Sequence, residues 1–274
     1  MTDTLDAFQQ IVLRYYQQHG RHDLPWRQPE RDGHFDPYNI VVSELMLQQT
    51  QVARVIPKYQ QFLRTFPTVQ ALASAPLGEV LTQWSGLGYN RRAKFLWQTA
   101  QMVEGRFDGR FPQTVPELVS LPGVGANTAG AIMAYAYNLP VPFLETNIRT
   151  VFIHHFFPKA DTVADSELLP LVEASIPADA SRSWHWALMD YGTHLKQTVG
   201  NVSRASKSYN KQSVFQGSKR QIRGRVLRLL TSGAHPLEAL QELIADERLP
   251  AVLEDLVREQ LIDKNNNIYR LRMV

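Results

Sequence analysis

Apolar residues recur at helical spacing along most of the chain, as in Phe8-Ile11-Val12-Tyr15, Leu45-Val52-Ile56-Tyr59 and Leu169-Val172-Ile176. This spacing gives each segment one apolar face and predicts amphipathic helices. The pattern breaks at Leu24-Pro25, Phe66-Pro67, Ala75-Pro76, Phe111-Pro112 and Leu121-Pro122-Gly123, where helices should stop. Alternating strand patterns are scarce before residue 260, so residues 1–199 read as an all-α domain with about ten short helices. Residues 200–220 are polar, aperiodic and rich in Ser, Asn and Lys, as expected of a linker or an exposed binding loop.

Helical periodicity resumes after Gln221 with Ile222-Val226-Leu229-Leu230, Leu237-Leu240-Leu243-Ile244 and Val252-Leu256-Leu261. The segment from Ile262 to Leu271 then reads as strand, Asn-rich turn and strand. Three helices and a terminal hairpin over 221–274 resemble a winged helix. No internal repeat is visible.

With 274 residues, 44% of them hydrophobic, the chain can bury a sizeable core. No apolar run is long enough to span a bilayer, and Met1–Leu13 lacks the apolar stretch of a signal peptide. A cytoplasmic location is therefore expected. No oligomer signal stands out, which points to a monomer. The sequence contains no cysteine, which excludes disulfides, zinc–thiolate sites and cysteine-held clusters. The histidines lack metal-ligand spacing. The adjacent pair His154-His155 points in divergent directions on a helix and is expected to be structural.

Net charge is only +3, but its placement is uneven. From Tyr191 to Leu237 there is no Asp or Glu, whereas Lys196, Arg204, Lys207, Lys211, Lys219, Arg220, Arg223, Arg225 and Arg228 are basic. Such a stretch suits a phosphate backbone, although a solvated linker would look similar. Downstream, Glu238, Glu242, Asp246, Glu247, Glu254 and Asp255 make an acidic face that argues against broad phosphate contact by the C-terminal module.

Leu121-Pro122-Gly123-Val124-Gly125 joins two helical segments, Val115–Ser120 and Asn127–Tyr137. Glycines there allow a tight turn into a helix whose first N–H groups, from Gly125 and Ala126 through Thr128, form an anion site. An ordinary helix–helix turn is the alternative. Some way on, Phe143-Leu144-Glu145-Thr146-Asn147-Ile148-Arg149 places a carboxylate before another helix, and Ser43-Glu44-Leu45-Met46-Leu47-Gln48-Gln49-Thr50 and Gly86-Leu87-Gly88-Tyr89 lie upstream.

Together with Leu24-Pro25-Trp26-Arg27 and Ala187-Leu188-Met189-Asp190-Tyr191-Gly192, these motifs resemble, in order over residues 5–195, the helix-hairpin-helix adenine DNA glycosylases of the MutY type. The resemblance implies an all-α glycosylase fold of two helical subdomains with the active site between them, followed here by a winged-helix-like module. It also implies a monomeric, nucleoid-associated base-excision-repair enzyme acting on duplex DNA that holds a mispaired or damaged base.

Cleaving an adenine–deoxyribose bond calls for a neutral carboxyl to protonate the base and an ionised one facing the developing oxocarbenium sugar. Glu44, among Leu45, Met46 and Leu47, fits the acid if burial raises its pKa. Glu145 stands where the family carries Asp, and its extra methylene moves the carboxylate by about 1.5 Å. Displacement on that scale can cost about a hundredfold in rate. A helix-capping role is its structural alternative. Asn147 would hydrogen-bond Glu145 or the attacking water. Trp26, Arg27, Asp190 and Asn127 fall at base-pocket positions, with Trp26 as a stacking wall and Asp190 as acceptor for an exocyclic amino group. Leu47, Gln48 and Tyr89 would wedge or fill the duplex, with core packing as the alternative for Trp26 and Tyr89. Leu121, Gly123, Val124, Gly125, Ala126 and Thr128 would form the DNA-binding hairpin, whose carbonyls could also take a monovalent or divalent cation.

Related bifunctional enzymes place a Schiff-base Lys where this chain has Asn127, so no lyase chemistry is expected. Most relatives bind an iron–sulfur cluster through four cysteines after the last helix of the domain; residues 194–218 offer none here. Recognition of 8-oxoguanine, assigned in relatives to a further C-terminal domain, is doubtful. Two alternatives stay open: a same-fold glycosylase for another damaged or deaminated base, and a non-catalytic binder of distorted DNA.

Overall fold

A computed structural model describes residues 2–211 and 214–273. In chain order the elements are α1 (Thr2–His19), α2 (Pro37–Leu47), α3 (Val52–Thr65), α4 (Val69–Ser74), α5 (Leu77–Trp84), α6 (Arg91–Phe107), α7 (Val115–Val119), α8 (Ala126–Tyr137), α9 (Thr146–Phe156), α10 (Asp165–Ala174) and α11 (Ser181–Thr198). There follow α12 (Lys219–Leu230), β1 (His235–Pro236), α13 (Leu237–Ile244), α14 (Leu249–Arg258), β2 (Ile262–Asn265) and β3 (Ile268–Leu271). Short 3-10 turns sit at Pro25–Arg27 and Val202–Ala205. No helix among the described residues is long and apolar enough to cross a membrane.

The chain divides into two compact units. One comprises residues 1–40, 113–120 and 124–211; the other 41–112, 121–123 and 212–274. Packing therefore does not follow the linear division at 199 and 220, and residues 212–274 fold together with 41–112.

In the first unit α8 is the central element. Its sequence, ANTAGAIMAYAY, shows no polar face, and every side chain from Thr128 to Ala136 is buried. Such a helix is surrounded rather than amphipathic. Gly130 lets Phe143 lie directly on it, since a Cβ there would come within 2.7 Å of the Phe143 Cβ. Phe143 stacks in turn on His185 of α11 at 4.5 Å. Gly192, also on α11, lets that helix close onto the α9 backbone, because a Cβ at 192 would overlap the Asn147 carbonyl.

In the second unit, apolar spacing in α3 buries Val55, Tyr59 and Phe62, and Phe62 meets Trp84 of α5 edge-on. Thr68 starts α4 as an N-cap, its hydroxyl accepting from the Ala71 N–H at 3.1 Å. The C-terminal segment builds a three-stranded antiparallel sheet in the order β1-β3-β2, with His235 opposite Tyr269 and Ile262 opposite Leu271. The short β1 is not legible in the sequence, because two residues carry no period. Gly78 of α5 receives the end of the chain, the Met273 sulfur lying 2.6 Å from where its Cβ would be.

Burial lowers the pKa of both His155 and His185 to about 4. His185 Nδ1 lies 2.8 Å from the Ser181 carbonyl, and His155 Nε2 lies 3.1 Å from the Tyr191 hydroxyl. Both are therefore neutral, packed residues, which for His155 is the structural role expected. Above about pH 6.5 folded and unfolded chains hold these rings alike; between there and pH 4 only the unfolded chain protonates them. Stability should thus fall on acidification through this window, by at most about 1.4 kcal/mol per pH unit per histidine. Urea melts should show a shallower fall for His155→Phe, and a slope equal to the parental one would refute the assignment.

Candidate active site

Glu145 is the N-cap residue of α9, with extended backbone (φ −88°, ψ 162°), but its side chain makes no capping hydrogen bond. The capping alternative is therefore not what is built. The segment leading into it is fixed by Asn127, whose Oδ1 accepts from the Leu144 N–H at 3.1 Å. Asn127 thus acts as a strut for the carboxylate and is itself exposed at the start of α8. At the second residue of α9, Asn147 Oδ1 accepts a 2.7 Å hydrogen bond from Lys196 Nζ. Lys196 and Gly192 are four residues apart on α11 and both face Asn147.

Burial raises the pKa of Glu145, while Arg149, the Thr146 backbone N–H and Lys196 pull it back down. Burial lowers the pKa of Lys196 and Glu145 opposes that shift. Arg149 is itself held by Asp165 through bonds of 2.8 and 2.7 Å. For this carboxylate at a helix N-terminus burial outweighs the two cations, and its pKa stands above the ordinary glutamate value. No sequence motif singles out Lys196. Its signal is the α11 register, in which Gly192 and Lys196 share the face that meets α9.

Asp190 and Arg27 meet, but not as a base-reading pair. Asp190 accepts from Arg27 Nη1 and Nη2 at 2.8 and 2.9 Å, and from Arg21 N, Nε and Nη2 at 2.8, 2.8 and 2.5 Å. Two carboxylate oxygens offer about four lone-pair sites, so none remains for an amino group of a base. Burial pushes this carboxyl up, yet the hydrogen bonds and charges of Arg27 and Arg21 outweigh it and hold it below the usual range. Trp26, in the 3-10 turn, is 6% exposed and offers no open face for stacking. Both residues are corrected to scaffold.

Among the hairpin residues, Leu121, Val124 and Thr128 bury their side chains and anchor the turn, so only their backbone could face a ligand. Gly123 needs its left-handed φ of +79°, and a Cβ there would come 2.8 Å from the Phe95 Cβ. Gly125 does not: its φ is −90°, and open space surrounds its Cβ position. Gly125 and Ala126 are exposed at the start of α8, where helix geometry leaves N–H donors without intrahelical partners.

Glu44, Leu47, Gln48 and Tyr89 belong to the second unit. Glu44 is half-buried on α2, flanked by fully buried Leu45 and Met46. Arg92, likewise outside every sequence motif, secures this region. Its Nη1 donates to the carbonyls of Leu45, Met46 and Gln48 at 2.8, 2.9 and 2.5 Å. Its Nη2 reaches Thr50 Oγ1 and the Gly88 carbonyl, both at 3.0 Å. Burial lowers its pKa to about 10, still far above neutrality. One cation thereby fixes the end of α2, the left-handed Gln49 and the loop presenting Tyr89, which is left-handed and exposed.

A glycine-turned hairpin feeding a helix, with a carboxylate heading the next helix, defines a helix-hairpin-helix protein. Residues 42–170 match the family described as HhH-GPD superfamily base excision DNA repair protein. An adenine DNA glycosylase of Mycolicibacterium smegmatis is 33% identical over 92% of this chain and 93% of its own length. One from Buchnera aphidicola subsp. Baizongia pistaciae is 35% identical over 77% of this chain but only 60% of its own length. Among solved structures, a thermostable thymine-DNA glycosylase superposes with a TM-score of 0.61 at 24% identity, covering 70% of this chain and 87% of that one. The chain belongs to the HhH-GPD superfamily of base excision DNA repair proteins and, within it, to the adenine DNA glycosylase family.

Replacing Asp190 with Asn would strand two arginines, one of them buried, and should cost about 3–5 kcal/mol of unfolding free energy. A fully stable D190N protein with altered base preference would restore the base-reading role.

Proposed function

We propose that the protein is a monofunctional DNA glycosylase that hydrolyses the N-glycosidic bond of adenine in mispaired duplex DNA. The observation that carries this reading is the Glu145–Asn147–Lys196 cluster at the head of α9. In this scheme Glu145 is ionised and faces the oxocarbenium-like sugar, Asn147 orients the attacking water, and Glu44 protonates the departing base. Lys196 supplies positive charge that favours ionised Glu145 against the cost of its burial. Asn127 cannot form a Schiff base, which leaves water as the nucleophile. The exposed start of α8 at Gly125 and Ala126 holds a phosphate. The protein acts as a monomer on duplex DNA and needs no iron–sulfur cluster, since the chain has no thiolate to hold one.

A second reading, excision of another deaminated or alkylated base, is favoured by one observation: the Asp190 carboxylate, the acceptor that spoke for an amino-bearing base, is saturated by Arg21 and Arg27. Duplexes carrying A opposite 8-oxoguanine or G, and U, T or hypoxanthine mispairs, separate the two. Alkali-dependent cutting at A, abolished by Glu44→Gln, is expected; cutting only at another base selects the second reading, and no cutting anywhere refutes both.

Lys196→Met should lower single-turnover excision by about 10–100-fold. It should also move the acidic limb of the pH–rate profile upward, because losing this cation raises the Glu145 pKa further. An unmoved limb would remove Lys196 from the site.

A further inference from the structure

Within the second unit, a cleft of about 920 Å³ lies between the Gln48–Gln49 turn and residues 85–92 on one side and α12 on the other. Its two carboxylates are already committed. Asp255 pairs with Lys219 at 2.5 Å and with Arg258, and Glu259 pairs with Arg91 at 2.6 Å and with Arg223. The acidic face expected of the C-terminal module is thus partly neutralised where it meets the cleft. Arg54 and Arg228 line the same space, are exposed, and take part in none of the ion pairs found among the described residues. A concave wall with surplus positive charge focuses the field on an anion.

Two further features narrow the ligand. Arg220 of α12 sits over the Tyr89 ring at 5.6 Å and donates a hydrogen bond to its hydroxyl, while Arg92 lies at 5.5 Å from the same ring. α12 also carries Gly224 in its interior, lining the cleft. Glycine weakens a helix interior, and no neighbour requires it here, because a Cβ at 224 would meet nothing within 4 Å. The open space instead lets a chain approach the helix backbone closely. Arginine forks match phosphate geometry, and an exposed aromatic ring beside them is the usual company of nucleic acid.

We propose that this cleft is a second DNA-backbone seat, separate from the hairpin: Arg54 and Arg228 hold phosphates, Gly224 gives the strand room against α12, and Arg220 positions Tyr89 beside it. The C-terminal module then takes part directly in DNA binding. This proposal rests on the glycosylase reading for the identity of the polyanion.

The test is fluorescence anisotropy of the full chain with a labelled undamaged duplex across a salt series. For the double variant Arg54→Ala/Arg228→Ala, the slope of log K against log salt should fall by about 0.9 for each phosphate that the variant no longer neutralises. Arg64→Ala, a surface cation outside the cleft, should leave the slope unchanged. Gly224→Leu should melt at or above the parental temperature yet bind about tenfold more weakly, since a side chain there occupies the strand's space. Parental slope in the double variant, or parental affinity in Gly224→Leu, overturns the cleft assignment and leaves the glycosylase reading intact. A protein that excises no base but shows the cleft-dependent slope loses the enzyme reading and keeps the seat.

Discussion

A fold assembled from many short helices is governed by its open ends. Each helix leaves carbonyls and N–H groups without intrahelical partners, and buried ones are costly unless something answers them. Here long side chains from other elements do so. Arg92 closes the end of α2, and Arg182 takes the Tyr135 and Ala136 carbonyls at the end of α8 at 2.5 and 2.9 Å. Asn138, which ends α8 in a left-handed turn, accepts from the Arg182 N–H. The same device fixes the backbone just before Glu145, where Asn127 accepts from the Leu144 N–H.

Opposing influences act on the charge of Glu145. Burial alone would favour its neutral form, whereas Arg149, Lys196 and a helix N-terminus favour the ionised one. Arg149, itself paired with Asp165, is the stronger of the two cations in this balance, and Lys196, held in place by its bond to Asn147, adds to it. The segment that leads into Glu145 is clamped by Asn127, Gly130 and the Phe143–His185 stack. By contrast Asp190, with arginines on both oxygens, is locked in one state and suits a scaffold.

The C-terminal module is not an appendage on a tether. Gly78 makes room for the last strand, Lys94 donates to the Glu259 carbonyl at 2.8 Å, and Glu259 joins Arg91 to Arg223. Asp255, part of an acidic surface in the linear sequence, is a partner of Lys219 on the basic α12, and Glu259 is a partner of Arg223 on the same helix.

What the sequence determined by itself was whatever depends on local periodicity and on motif order: the helical class, the breaks at proline and glycine, the hairpin with its obligatory left-handed Gly123, the absence of thiolates, and the terminal strands. Glu145 at the head of a helix and Asn147 two residues on, in its first turn, were equally legible. Tertiary structure alone decided which polar residues face each other. Asp190 looked like a free acceptor because Arg21 lies 169 residues away in sequence, and Trp26 looked like a stacking wall because its burial depends on distant packing. Lys196 and Arg92 belong to no motif; their meaning comes from the side-chain amide oxygen and the backbone carbonyls that folding brings within 3 Å of them. Hydrogen bonds and ion pairs act over such distances, so partners remote in sequence leave no periodic trace.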